Sequence, residues 1–268
     1  MEYLTSLPFH VIFPVKTKFV SMDVSHPFKI IAHRGVSGLF PENTLSAICA
    51  GIALPSDYVE IDVRLTKDGI PVVIHDRNLQ RTAMTNLPVH ELTLEEIAHF
   101  DAGSWFDPKF EKEKIPLLKD VLEVCWNQTG LMIEIKKCPQ PDNIIVNAVF
   151  NTISCANSLP IKLIIGSLSH DTVSEIQKKS LEIQSEIPPM GIIEKLDLID
   201  PSIKIGIKHM AIWYKLITPS LINLLRDEGI EAWAFTVDDP KIACFLASIG
   251  VTGIISNVPQ RLMNLSHI

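Results

Sequence analysis

The stretch LMIEIKKCPQPDNIIVNAVFNTISCANSLPIKLIIGS, residues 131–167, decides the fold. It opens with an apolar run from Leu131 to Lys136, passes through helically spaced apolar residues between Asn143 and Ser154, and closes with a second run from Lys162 to Ser167. Short runs this rich in Ile and Leu read as strands covered on both faces. A helix between two of them reads as a crossover that leaves the strands parallel.

The same unit recurs in both directions. Toward the C-terminus come Met190 to Glu194, His209 to Tyr214, Ile230 to Val237 and Gly253 to Ser256; toward the N-terminus come Tyr58 to Val63 and Lys29 to His33. Helical spacing marks Asn43 to Leu54, Leu117 to Asn127, His170 to Lys179, Pro219 to Asp227 and Pro240 to Ile249, with weaker segments after Leu198 and Pro259. Several begin with the Ser, Thr, Asp or Pro that starts helices. Eight strand-helix units predict a closed (β/α)8 TIM barrel of the α/β class, since an open doubly wound sheet more often shows five or six strands. The chain has 268 residues, 47% of them apolar, which suits one domain with a single large core.

One region interrupts the rhythm. Ile70 to Ile74 is another apolar run after the turn signal Lys67-Asp68-Gly69, so the second strand doubles back as a hairpin. Arg77 to Lys114 is then polar, too long for an ordinary loop, and carries a helix start at Thr93-Leu94-Glu95-Glu96. It reads as an insertion at the barrel mouth, with Asp101, Asp107 and Glu111 to Glu113 as a solvated face.

The ends and the composition exclude several classes of function. Residues 1–28 read as an N-terminal extension and 29–268 as the barrel, with Met22 a candidate alternative start. The extension carries Glu2 where a signal peptide would be basic, and Pro8 and Pro14 break its apolar run, so neither a signal peptide nor a stable membrane insertion is expected. A net charge of −7 provides no field for nucleic acid or anionic membrane. The five cysteines are scattered without a CxxC pair, which points to reduced thiols and a cytoplasmic location. Oligomeric state leaves no mark on the sequence.

In a parallel barrel, functional groups collect where strands end and the following loops begin. His33-Arg34-Gly35 closes the first run, and His75-Asp76 closes the hairpin. Glu60 and Asp62 stand at i and i+2 of the second run, so both carboxylates share one face; Glu134 and Lys136 repeat that spacing on the third. Alone, Glu134 with Lys136 reads equally as a structural ion pair, and His75-Asp76 as a turn. Together they change meaning, because three inward carboxylates cannot all stay ionised at close quarters without a cation. Oxygen-only ligands suit Mg2+, Ca2+ or Mn2+ better than Zn2+. Such an ion offsets charge developing on a phosphoryl group, Arg34 and Lys136 can grip the remaining phosphate oxygens, and His33 and His75 can serve as acid and base. The set suits phosphodiester cleavage.

Those residues, with Pro41-Glu42-Asn43-Thr44, Asp68-Gly69, Leu79-Gln80-Arg81-Thr82, Ile115-Pro116-Leu117-Leu118 and Gly253-Ile254-Ile255-Ser256-Asn257, form a pattern that resembles the glycerophosphodiester phosphodiesterase family from about Ile30 to Leu262. The resemblance implies a barrel with a small inserted segment after the second strand, here Arg77 to Lys114. It places the acid-base histidines on His33 and His75, the metal-binding acids on Glu60, Asp62 and Glu134, and phosphate contacts on Arg34 and Lys136. Glu42 matches as an auxiliary position. The implied cofactor is one divalent ion, Mg2+ or Ca2+ with Mn2+ as an alternative. The implied substrate is a small glycerophosphodiester such as glycerophosphocholine or glycerophosphoethanolamine, cleaved to glycerol 3-phosphate and an alcohol.

Two places depart from the family pattern. Ser167-Leu168 stands where Ser-Phe is frequent, and Phe235-Thr236-Val237-Asp238 where Trp-Thr-Val-Asn is common, with Trp233 two residues earlier on the same face. Trp233 is therefore expected to line the substrate site. Two other readings stay open: phospholipase D-like or phospholipase C-like cleavage of a lipid, for which Phe100, Trp105, Phe106 and Phe110 offer an apolar rim, and a non-catalytic phosphodiester-binding barrel. The latter predicts a missing acid or histidine, and none is missing.

Overall fold

The structure is a computed structural model that describes residues 28–156, 159–263 and 265. Residues 1–27, and with them the expected extension and Met22, lie outside the described residues, while Phe28 is buried in the barrel's outer core and belongs to the domain.

Nine strands form one sheet: β1 (Lys29–Ala32), β2 (Tyr58–Leu65), β3 (Pro71–Val73), β4 (Gly130–Ile135), β5 (Leu163–Ser167), β6 (Pro189–Ile193), β7 (His209–Trp213), β8 (Glu231–Phe235) and β9 (Gly253–Ser256). All except β3 pair in parallel with their neighbours, and β1 pairs with both β9 and β2, which closes an eight-stranded barrel. The α/β class and the (β/α)8 architecture read from the sequence are those observed. β3 runs antiparallel to the extended end of β2, as the turn at Asp68-Gly69 predicts.

The helices follow the sequence with small shifts at their ends. They are α1 (Leu45–Ala53), α2 (Gln80–Ala83), α3 (Leu94–Ile97), α4 (Leu118–Cys125), α5 (Asp142–Cys155), α6 (His170–Glu182), α7 (Ile199–Ile205), α8 (Pro219–Asp227) and α9 (Pro240–Ser248). Side-chain oxygens of Thr44, Thr93, Ser169, Thr218 and Asp239 accept the first free backbone N–H groups, which is why these helices start where they do. The segment after Pro259 is only a single 3-10 turn, Pro259–Arg261.

Alternation along the strands divides the core. On β2, Val59, Ile61, Val63 and Leu65 face outward against α1, α4 and α5, while Tyr58 faces the barrel axis among Ile31, Met132, Ile164, Trp233 and Ile255. Glu60 and Asp62 share the face of Tyr58 and continue it upward, toward the C-terminal ends of the strands. The lower barrel is thus packed with apolar side chains and its upper end is polar.

The insertion builds a small core of its own, in which Leu79, Val89, Leu92 and Ile97 pack on Val72 and Ile74 of the hairpin. Asp68 of the hairpin turn accepts the backbone N–H of Leu94 at 3.1 Å, and Thr93 with Glu96 forms a reciprocal capping box. The expected solvated acidic face is corrected. Asp101 accepts backbone N–H groups from Gly103, Ser104 and Lys112, Asp107 caps the turn at Pro108–Phe110, and Glu113 accepts the Ser46 hydroxyl. Most of these acids organise the loop instead of only wetting it.

Candidate active site

The chain leaves β1 through a turn in which Arg34 and Gly35 both have positive φ, 54° and 77°. Only glycine fits the second position: a Cβ there would lie 2.3 Å from the carbonyl carbon of Ala47. The turn aims the Arg34 backbone N–H at Glu60 Oε2, 2.9 Å away, and brings the Arg34 guanidinium to Asp62 Oδ2 at 3.1 Å and Glu42 Oε1 at 2.8 Å.

The three acids converge. Asp62 and Glu134 are direct register partners on adjacent parallel strands, and Glu60 lies one repeat below Asp62. One oxygen from each of Glu60, Asp62 and Glu134 lies within 4.8 Å of the others, and all three residues are buried. Lys136 Nζ sits 2.9 Å from Asp62 Oδ1 and donates to Glu134 Oε1.

Electrostatics distinguishes the three acids. Burial, reinforced by the neighbouring charges of Asp62 and Glu134, holds the Glu60 carboxyl well above the usual carboxylate range. Burial raises Glu134 in the same direction, against Lys136. At Asp62 burial also pushes upward, but Lys136 and Arg34 together outweigh it and hold the carboxyl below its ordinary value. Lys136 is held above its ordinary value because Asp62 and Glu134 overcome its burial. With all three ionised, three carboxylates against Arg34 and Lys136 would leave one negative charge buried, and the raised Glu60 carboxyl is where that excess is felt. Glu60 Oε1 is buried without a hydrogen-bond partner, and Asp62 Oδ1 meets Lys136 without hydrogen-bond alignment. Orphaned carboxylate oxygens at this spacing fit a divalent cation with oxygen ligands.

Both histidines are held through Nδ1, which leaves Nε2 without a hydrogen-bond partner among the described residues. His33 Nδ1 lies 2.7 Å from Asn257 Oδ1. The orientation of that amide is fixed from behind, because Asn257 Nδ2 donates to Asp238 Oδ2 at 2.8 Å and a carboxylate can only accept. His33 Nδ1 therefore carries the proton and Nε2 is left toward Glu60, 3.9 Å away. His75 Nδ1 lies 2.7 Å from Asp76 Oδ1, and Arg81 Nε holds the other oxygen of Asp76 at 2.8 Å. Burial, with the Arg34 charge second, lowers His33 to about 4; burial also lowers His75.

The structure thus gathers His33, Arg34, Glu42, Glu60, Asp62, His75, Glu134 and Lys136 at one end of the barrel. Glu42 bridges Arg34 and Arg81, whose Nη1 and Nη2 donate to it at 2.7 Å each, so it aligns the guanidinium beside Asp62. Trp233 is not brought to the mouth. Its face was read correctly but not its height: the indole is fully buried on the barrel floor, 5.1 Å from the Tyr58 ring, and Nε1 donates to Glu231 at 2.7 Å. A Cβ on Gly253 would lie 2.6 Å from the indole, so glycine is what leaves the ring its space. Phe235, two residues on and about 6–7 Å higher, is the aromatic of this strand at the mouth.

Several contributors were overlooked in the sequence. Asn43, expected inside the first helix, has φ +59° and lies before the Thr44 cap; its amide donates to Asp62 Oδ2 at 2.8 Å and accepts the Asp62 backbone N–H at 3.2 Å. Asp238, Asn257, Asp76 and Arg81 orient the histidines, and only the strand-end positions of Asp76 and Asn257 hinted at it. Ser167, just before the departing Leu168, donates to the Ile135 carbonyl at 2.7 Å and ties β5 to β4. Of the possible apolar rim, Phe100 packs into the insertion core, whereas Phe110 meets Phe40 from the first βα loop at 5.6 Å between ring centroids and Phe106 packs edge-on against Phe110 at 5.8 Å.

Comparison with known proteins agrees with this geometry. The sequence profile of the glycerophosphoryl diester phosphodiesterase family matches residues 33–261. A glycerophosphodiester phosphodiesterase of Caldanaerobacter subterraneus is 32% identical, the match covering 88% of this chain and 96% of that protein. A human lysophospholipase D is 25% identical over 89% of this chain and 86% of its own length. Among solved structures, an Oleispira antarctica phosphodiesterase in complex with the product sn-glycerol-3-phosphate superposes with a TM-score of 0.79 at 26% identity, covering 87% of this chain and 94% of the other.

Proposed function

This chain belongs to the glycerophosphoryl diester phosphodiesterase family and is a phosphoric diester hydrolase, and on that premise we propose that it cleaves soluble glycerophosphodiesters to glycerol 3-phosphate and an alcohol with the help of one divalent cation. The observation that carries the reading is the buried triad of Glu60, Asp62 and Glu134 beside two histidines that each keep Nε2 free.

Glu60, Asp62 and Glu134 would hold the ion, Mg2+ or Ca2+ with Mn2+ as an alternative. When bound, it supplies Lewis-acid charge that offsets the negative charge growing on the phosphoryl oxygens. With all three carboxylates ionised around a divalent ion, Arg34 and Lys136 would leave the site positive overall, which suits a phosphodiester monoanion. Arg34 and Lys136 grip the remaining phosphate oxygens. His33 is backed by a neutral amide and held neutral by burial, so its Nε2 takes the proton from the attacking oxygen, of water or of the neighbouring glycerol hydroxyl. His75 is backed by the Asp76 carboxylate, which works against the burial that lowers its pKa and stabilises the protonated ring, so its Nε2 gives a proton to the departing alcohol as the phosphorus–oxygen bond breaks. A cytoplasmic location rests on the five free cysteines. Among the described residues no helix is long and apolar enough to cross a membrane.

The test is release of glycerol 3-phosphate from glycerophosphocholine by protein stripped with chelator and resupplied with Mg2+, Ca2+ or Mn2+. Activity that returns only with an ion supports the reading, and activity indifferent to all three removes the metal from it. A second reading, cleavage of a lysophospholipid, is favoured by the ring stack of Phe40, Phe106 and Phe110 on the insertion side. Turnover of lysophosphatidylcholine with binding to liposomes, and none of glycerophosphocholine, would select it.

A further inference from the structure

A basic cavity lies beside the carboxylate centre. On the side of the hairpin facing the loop after β4, a cavity of about 300 Å³ is lined by Arg64, Arg77, His90 and Lys137, with Leu65 and Val89 among its apolar walls and no acid. That volume falls at the lower end of the range, about 300–1,000 Å³, in which proteins hold small molecules.

Arg64 makes it a built site. It follows Glu60 and Asp62 on the same face of β2, is only 8% exposed, and is fixed by donating Nε to the His75 carbonyl at 2.8 Å and Nη1 to the Lys137 carbonyl at 3.0 Å. Among the described residues neither Arg64 nor Arg77 has a carboxylate within ion-pair distance, whereas Lys137 is paired with Asp142 at 2.6 Å and His90 lies 3.8 Å from Glu91. Two guanidiniums in one partly buried cavity repel each other, and in a chain of net charge −7 that arrangement is not a by-product of excess base. A fixed guanidinium with a second one free to swing is the donor set that recognises a tetrahedral oxyanion.

We propose that this cavity binds a phosphate monoester, as an anion subsite separate from the carboxylate centre and coupled to it through the Arg64 contacts with the backbone of His75 and Lys137. The monoester has two possible sources. One is a phosphate carried on the headgroup alcohol of the substrate, which rests on the proposed function; the other is a free phosphate ester or inorganic phosphate, which does not.

The experiment compares the intact protein with Arg77→Gln, a change of an exposed side chain that makes no hydrogen bond among the described residues. Inorganic phosphate is titrated while the side-chain Nε–H resonances of Arg64 and Arg77 are followed, a readout that needs no turnover. The expected result is a saturable shift of the Arg64 resonance that weakens at least tenfold in Arg77→Gln, with the melting temperature unchanged. In parallel, KM is measured for glycerophosphocholine and for a glycerophosphodiester whose headgroup carries a phosphomonoester. A tenfold rise in KM for the second substrate alone assigns the site to the substrate, while weakened phosphate binding with both KM values unchanged assigns it to a free anion. An Arg64 resonance that ignores phosphate, or responds equally in Arg77→Gln, overturns the proposal even if every diester is hydrolysed.

Discussion

Replacing Glu60 by Gln should stabilise the metal-free protein and abolish its stabilisation by metal. In the metal-free site Glu60 is a buried acid facing two others, with Oε2 accepting the Arg34 backbone N–H at 2.9 Å and Oε1 without a partner. A Gln carbonyl keeps the first bond, and its NH2 turns a repelled oxygen into a donor toward Asp62 and Glu134. Without metal, E60Q should therefore melt at or above the wild-type temperature. With metal the order reverses: a ligand at 100 times its Kd stabilises by about 2.7 kcal/mol, and at about 2–4 °C per kcal/mol for a domain of this size that is about 5–10 °C, which E60Q should largely forfeit. The pH dependence has a definite sign. Because the folded-state pKa of Glu60 is raised, folded protein binds a proton that unfolded chain has released, so metal-free stability is greatest below the ordinary carboxylate pKa and falls as pH rises through the raised value. E60Q should flatten that slope, leaving the smaller share of Glu134, while Asp62, whose pKa is depressed, acts with opposite sign at more acidic pH. Scanning calorimetry from pH 4 to 8, with chelator and with Mg2+ or Ca2+, reads all of this. An E60Q protein that melts lower than wild type without metal, yet gains the same shift with it, would refute the reasoning.

Three further outcomes follow from the same geometry. His33→Ala and His75→Ala should each lower kcat about 10²–10⁴-fold, and Asn257→Ala, which frees the His33 ring, about 10–10²-fold with little change in KM; steady-state kinetics on glycerophosphocholine decides, and an unchanged rate in either histidine variant removes it from the chemistry. Since burial and the Arg34 charge lower His33 to about 4, the neutral base persists below pH 6.5, and the acid limb of kcat/KM should fall well below that value; a limb at or above 6.5 that disappears in His33→Gln would contradict it. Trp233→Phe should cost about 1–3 kcal/mol in urea unfolding, because Glu231 loses a buried donor, while kcat and KM stay within about twofold; a selective rise in KM would return Trp233 to the substrate site.

What the sequence determined by itself was set by period and punctuation. Apolar runs at regular intervals named the eight barrel strands, because a strand buried on both faces must be apolar almost throughout. Polar exceptions inside those runs, Glu60, Asp62 and Glu134, named the chemistry, because a charge is kept in a buried strand only when something compensates it. Tertiary structure alone decided height and partnership. Period-2 alternation puts Trp233 and Phe235 on one face but does not say that the indole turns down toward Glu231. Nor could it say that Asn43 would leave its helix to hold Asp62, or that Asp238 would reach across from the loop after β8 to fix Asn257 behind His33. Asn257 and His33 are 224 residues apart in the chain, and the register of β1 against β9 that brings them within 2.7 Å exists only once the barrel has closed.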